Sequence, residues 1–347
     1  MKTFNYTLNQ TPLAHLIDIE HLLLQKNILI QIFCGEGREV LEGVSKELSE
    51  LLPNATCLGT TTDGEIQDHT ISTKKTVLSI SVFEKTSIKS TKVTSEDSFQ
   101  NGVELCKNLI EDNTKLIIVF TDGTTTNGEE FLKGISSINN KVVIAGGMAG
   151  DNGDFVQTFI CEGSSLLEKG AVGVSLNSDE LNIHNSYSFN WSPIGVEHTI
   201  DRVLANRVYS IDAITPVDFY AKYLGQDVAK ALPATGIEFP LIIEKNGIKI
   251  ARAVIAKHED GSLSFAGNLN EGDKVRLGFG NAEMIINQPD YALEKFCEKS
   301  IETFFLYSCM ARRRYMPGFI QVEIEPFASL APTSGFFTYA EFYHHNR

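Results

Sequence analysis

Nine arginines serve the whole chain, and three of them stand together as Arg312, Arg313 and Arg314. A planar guanidinium holds a carboxylate through two parallel hydrogen bonds, so such a cluster suits an amino-acid or organic-acid ligand. Arg312 lies nearest the preceding apolar run and is the expected anchor. The competing reading of the cluster is a solvated helix start paired with surface glutamates. Three carboxylates, Glu65, Asp151 and Glu341, follow glycine-bearing loops at nearly equal offsets. Each can meet an ammonium group, or it can hold its own loop by accepting backbone N–H bonds; Asp63 and Asp122 carry the same two readings. Cys34 and Cys309 close two apolar runs, which raises a thiol nucleophile. That chemistry needs a base and an orienting group, and neither loop contains a histidine or a GxSxG signature. Small buried thiols are the expected reading, with an acyl- or thiol-transfer enzyme as the minor one.

These residues need strands and helices to position them, and the spacing supplies three copies of one unit. Ile28 to Phe33 reads as a strand, Arg38 to Leu52 as a helix, and Ala55 to Leu58 as a second strand running into Gly59-Thr60-Thr61-Thr62-Asp63-Gly64-Glu65. Leu116 to Phe120 leads through Thr121-Asp122-Gly123 to a helix near Glu129 to Ile138 and a strand Val142 to Ala145, ending in Gly146-Gly147-Met148-Ala149-Gly150-Asp151. Thr303 to Ser308 starts the third copy, which passes Cys309 and closes on Gly335 to Glu341. Cys34 and Gly59 are 25 positions apart, as are Thr121 and Gly146, while Cys309 and Gly335 are 26 apart. Such agreement predicts a repeated βαβ unit.

A right-handed βαβ crossover brings both strand ends to one edge of a parallel sheet, where open α/β sheets bind ligands. The expected ligand-binding set is therefore Gly59, Thr60, Thr61, Glu65, Thr121, Asp122, Gly146, Gly147, Asp151, Cys309, Arg312, Gly335 and Glu341. The glycines permit close approach of a ligand to the backbone, or they serve only tight turns and packing.

Further strands are expected at Thr76 to Phe83, Phe155 to Cys161 and Gly170 to Leu176, and a helix at Ser98 to Ile110. Asn182 to Asn190 alternates toward Trp191, and Ser192-Pro193-Ile194-Gly195 is expected to break the pattern. The second half adds a helix, Val217 to Leu224, and hairpin strands at Leu241 to Glu244, Lys249 to Ala256 and Lys274 to Gly278, with turns at Lys245-Asn246-Gly247, Glu259-Asp260-Gly261 and Asn270 to Asp273. The expected fold class is α/β: two parts with mixed and parallel sheets built from repeated βαβ units, and antiparallel hairpins in the second half. Regions 1–200 and 201–347 are the expected domains.

At 347 residues and 42% hydrophobic content, the chain can bury cores for about two domains of ~100 to 200 residues each. Thirty Lys+Arg against 44 Asp+Glu give a net charge of −14, which repels phosphate backbones and anionic lipid surfaces. Neither a nucleic-acid partner nor membrane insertion is expected. No signal peptide is visible, and no apolar run approaches the roughly 18 residues of a membrane span. Six scattered cysteines without a CxxC pair, and eight histidines without HExxH, give no metal site. Reduced thiols fit a cytoplasmic location.

Leu58 to Ile66, Ile144 to Asp151, Trp191 to Gly195 and the closing Phe304 to Glu341 segment, with its Ser308-Cys309 and Gly335-Phe336, together resemble the FIST family. This is a two-part bacterial sensory module with N- and C-terminal regions. The resemblance implies a cytoplasmic, non-enzymatic sensor that binds a small polar ligand such as an amino acid or organic acid. It also implies relay to a separate histidine kinase, chemoreceptor or cyclic-dinucleotide enzyme. One departure is Ala340, where a glycine is more usual before Glu341. No cofactor is expected on this reading. The alternative is haem b, because some nitric-oxide-sensing haemoproteins resemble FIST domains; His184 or His198, flanking Trp191, would then be the axial ligand. His344 and His345 are read as tail.

Overall fold

Runs of β-branched and aromatic residues alternate with amphipathic stretches; polar, glycine-bearing loops turn the chain after Cys34 and Thr121, whereas the strand ending at Cys309 runs directly into a helix. In the computed structural model, which describes residues 1–189, 191–245, 247–280, 300–315 and 318–343, this pattern gives 21 strands. Strands β1 to β7 are Lys2–Thr7, Asn27–Cys34, Ala55–Thr61, Glu65–Gln67, Thr70–Ser72, Thr76–Phe83 and Ser87–Val93. Strands β8 to β14 are Thr114–Thr121, Val143–Met148, Ile160–Glu162, Ser165–Leu167, Ala171–Asn177, Trp191–Leu204 and Arg207–Ile211. Strands β15 to β21 are Leu241–Lys245, Ile248–Arg252, Val254–Lys257, Leu263–Phe265, Lys274–Gly280, Phe304–Cys309 and Thr333–Thr338. His344, His345 and Asn246 lie outside the described residues.

The chain forms two compact units. The first comprises Met1–Ser186, Pro289–Arg313 and Gly318–Arg347; the second comprises Tyr187–Gln288 and Arg314–Pro317. The first unit holds three mixed sheets, ordered β1-β6-β2-β3-β10-β11, β7-β12-β8-β9 and β20-β21-β4-β5. Each sheet contains one parallel pair from one repeat: β2 with β3 across the helix Arg38–Leu51, β8 with β9 across Gly128–Ile138, and β20 with β21 across the segment holding Met310–Tyr315 and Ile320–Ala328. The registers agree between copies, with Ile32 opposite Gly59, Val119 opposite Gly146 and Leu306 opposite Gly335.

One phenylalanine from each copy meets the others in the core. Phe336 stacks on Phe33 at 5.4 Å and meets Phe120 edge-on at 5.4 Å. Such pairs add about 0.5–1.5 kcal/mol beyond the apolar area they bury. Around them pack Leu29, Leu58, Ile118 and Val174, all fully buried.

The second unit is a seven-stranded, wholly antiparallel sheet, β16-β15-β19-β13-β14-β18-β17, with the helix Pro216–Leu224 burying Phe219 and Tyr220 among Ile200, Leu241, Phe265 and Val275. Thus the mixed α/β class and the hairpins of the second half are present.

Two local expectations change. Phe155 to Phe159 is not strand, because the Asp151 carboxylate takes the N–H groups of Phe155, Val156 and Gln157 and holds them in a loop. Ser192 to Gly195 does not break the chain: β13 runs through it, pairing Trp191 to Ile194 with Gly280 to Leu277 and absorbing the irregularity in a bulge before His198. Strands β1 and β7 lack a strong sequence signal; each is an outer strand, zipped along one side to β6 and β12 respectively.

Candidate functional site

The loops after β3, β9 and β21 are tied to one another by backbone hydrogen bonds. Gly150 N–H donates to Thr61 O at 2.9 Å, Asp63 N–H to Phe337 O at 2.9 Å, and Met148 N–H to Ala340 O at 2.8 Å. Ala149 N–H adds a bond to Thr121 O at 2.8 Å, and Gly147 forms an isolated bridge with Glu341. The geometry brings together at one edge of the first unit the ends of three strand pairs that are far apart in sequence.

Most residues of the expected set build this edge from inside. Gly59 is buried, and a Cβ there would come 2.5 Å from Cys161 Sγ and 2.9 Å from Leu41. A Cβ on Gly146 or Gly335 would run into the carbonyl of Val119 or Leu306, the facing residues of the parallel partner strand. Gly146 also sits at φ +127°, where side chains are strained. Thr60, Thr61 and Thr121 are buried, and their hydroxyls donate to the carbonyls of Thr61, Phe159 and Asp122.

The carboxylates of the first two loops act as loop organisers. Glu65 is fully buried and accepts from Thr62 Oγ1 at 2.6 Å, Ser72 Oγ at 2.9 Å and Lys75 N–H at 3.3 Å. Desolvation pushes its carboxyl up to about 7 despite those donors. Asp122, also buried, accepts from the backbone N–H groups of Thr124, Thr125, Thr126 and Gly170 and from the hydroxyls of Thr125 and Thr126. Asp151 binds three N–H groups of its loop and the hydroxyl of Tyr339, which in turn accepts from Asp151 and Gly153 N–H.

The arginine cluster is divided. Arg312, whose side chain is 9% exposed, faces Glu323 through both Nε, at 3.1 Å, and an Nη. Arg313 is the one that reaches the first loop, 2.7 Å from Asp63. Arg314 is exposed.

The third loop is different in kind. Cys309 and Glu341 influence each other electrostatically, and Arg312 acts on both. Cys309 is half-buried and Glu341 exposed, yet desolvation by surrounding protein raises the pKa of both. Beside them run β20, whose six residues are all partly exposed, and Gly147 of β9, which bridges to Glu341. Gly147 has no room for a side chain, since a Cβ would stand 2.6 Å from Thr338 Cγ2. Open hollows of about 640 and 460 Å³ lie beside Asp97 and Asn127 and beside Lys115 and Lys141, away from all three loops.

Residues 28–214 match the model of the FIST N domain, and residues 216–344 match that of the FIST C domain. The chain belongs to the FIST family. No curated protein matches it. FIST domains are sensory, ligand-binding domains of signalling proteins. In this FIST protein, no helix among the described residues is long and apolar enough to cross a membrane, and no group of three or more His, Cys, Asp or Glu among them can hold a metal ion. Ala340, the departure from the usual FIST glycine, uses its carbonyl to accept from Met148 and so still closes the third loop onto β9.

The two histidines of the haem alternative have surroundings of other kinds. His184 is exposed rather than set in an apolar pocket. His198 is 4% exposed, with Nδ1 2.6 Å from Asp212 and the rings of Phe219 and Tyr223 each 4.8 Å away, so its faces are already filled. Sequence reasoning missed Glu323 and Tyr339. Glu323 stands eleven positions after Arg312 but on a separate helix, Ile320–Ala328, and Tyr339 lies within the third loop but carries no motif.

Proposed function

We propose that the protein is a binding module that senses a small polar ligand, an amino acid or organic acid, at the third loop, and relays occupancy to a separate signalling partner. Candidate partners are a histidine kinase, a chemoreceptor or a cyclic-dinucleotide enzyme in the cytoplasm. The observation that carries this reading is the contrast among the loops: Glu65, Asp122 and Asp151 spend their oxygens on their own loops, whereas Glu341 stays accessible beside Cys309 and Arg312.

A binding rather than catalytic role is supported by the thiols. Burial pushes Cys34 up to about 11 and Cys309 well above its ordinary value, so neither is a ready thiolate. Relay requires that the ligand favour one conformation, since equal affinity for two states shifts nothing.

Thermal-shift measurement against amino acids and organic acids tests the reading. A ligand at about 100 times its dissociation constant stabilises the unit it binds by ~2.7 kcal/mol. Stabilisation by at least one such compound, weakened by Glu341→Gln, is the expected result. No response from any of them, or a response indifferent to Glu341 and Arg312 alike, removes the third loop from consideration.

A further inference from the structure

We infer that Asp63, Glu65 and Arg313 form a proton-operated switch: Asp63 holds Arg313 while Glu65 carries a proton, and Glu65 draws Arg313 toward itself when that proton leaves. All three residues belong to the first unit. Asp63 and Glu65 are fully buried, and the Arg313 side chain is 18% exposed. One Nη of Arg313 lies 2.7 Å from Asp63. Its Cδ and Nε lie against Gly64, where a Cβ would stand 3.0 Å from each. The guanidinium stem therefore crosses the backbone at the residue that separates the two carboxyl groups. An independent observation marks the arrangement as incomplete. The Nε–H of Arg313 is buried and has no hydrogen-bond partner. Unmet buried donors are few in folded proteins.

Glu65 has partners for either form. Thr62 Oγ1, Ser72 Oγ and Lys75 N–H donate to it, which suits a carboxylate, while each hydroxyl can turn to accept from a protonated carboxyl. Enclosure by protein penalises the charge and lifts the group to about 7, so both forms are populated at neutral pH. The other ionisable groups around it are Cys34 and Glu36 at the end of β2, and Lys74 and Lys75 before β6. Glu36 and both lysines are exposed, Glu36 accepts from Thr76, and burial keeps Cys34 neutral by pushing it up to about 11. Arg313 is the charge that acts on Glu65 through space. While Glu65 is protonated, Asp63 and Arg313 cancel. Once it ionises, two buried carboxylates face one guanidinium, and the unmet Nε–H gains a charged acceptor. Asp63 must then share or release Arg313.

NMR of the full chain can follow the Arg313 Nε–H, identified by its loss in Arg313→Gln, between about pH 5 and 9. The signal should move with a midpoint near 7 in the parent protein and stay still in Glu65→Gln. Asp63→Asn frees the guanidinium and should lower the midpoint by about one pH unit; Arg313→Gln should raise the midpoint of the Glu65 carboxyl carbon by a similar amount. Unfolding midpoints identify any variant that fails to fold, and Asp63→Asn and Arg313→Gln test the coupling without Glu65→Gln. An Nε–H signal that is flat in the parent, or that titrates equally in Glu65→Gln, overturns the inference. So does a Glu65 midpoint indifferent to Arg313→Gln. No ligand enters the measurement, so its outcome is independent of whether the third loop is a sensory site.

Discussion

Glu65 and Glu341 stand six positions after their glycines in two copies of one unit, and the protein treats them in opposite ways. The first is sealed. The hairpin β4–β5 folds back so that Ser72, the partner of Glu65 across the hairpin, and Lys75 just beyond it both donate to its carboxylate. After Glu341, Phe342 turns inward against Phe131 at 5.4 Å. A repeat therefore transmits position but not role. At Glu65 the segment immediately downstream of the loop makes the carboxylate a structural acceptor.

The largest effect that can break this comparison is Glu65→Ala, which leaves three donors and a cavity beneath Gly35. Loss of the buried network should cost about 3 kcal/mol or more in denaturant unfolding of the first unit, against about 0.5 kcal/mol or less for Glu341→Ala. Equal losses would mean that both carboxylates are structural.

The pH dependence sharpens the contrast. Glu65 is held near 7 in the folded protein against an ordinary value of 4.5. As pH rises from about 4.5 to 7, the unfolded chain ionises this group while the folded one keeps its proton. Stability is thus favoured below that window and is lost across it. The contribution is roughly 3 kcal/mol for a shift of this size. It should be absent from the stability profile of Glu65→Gln between about pH 4 and 8 and so appear in full in the parent-minus-variant difference.

Gly146→Ala, by strain at φ +127° and collision with the Val119 carbonyl, should cost about 2 kcal/mol. The smallest signal is kinetic. Iodoacetamide at neutral pH should label half-buried Cys309 slowly and leave buried Cys34, Cys57 and Cys161 unlabelled in the folded protein, as read by mass spectrometry. Rapid labelling of Cys309 would reopen the nucleophile reading.

The repeat was legible because a parallel βαβ unit imposes its own arithmetic: a strand, a loop, a helix and a return strand of matched length. The spacings from Cys34, Thr121 and Cys309 to their glycines carry it, and the matching registers explain why. The convergence of the three loops was legible for the same reason. Which side chain faces which was not. The choice of Arg312 over Arg313 for the glycine edge depends on rotation about a short helix, and Asp63 receives Arg313 while Glu323 receives Arg312. Nor does a single sequence distinguish a glycine that leaves space for a ligand from one, such as Gly59, whose space is filled by Cys161 and Leu41. The run Phe155 to Phe159 misled for a local reason, since apolar residues there suggest a strand while one aspartate upstream dictates a loop.

The last copy of the unit, β20 and β21, joins its sheet through β4, a strand from the first fifth of the chain. During synthesis, therefore, β4 and the inner face of Phe33 must wait until Thr333–Thr338 has left the ribosome before their partners arrive. Contacts of such long sequence separation form late and slowly. The sheet edge that carries Glu341 is thus assembled only after contacts of this long separation have formed.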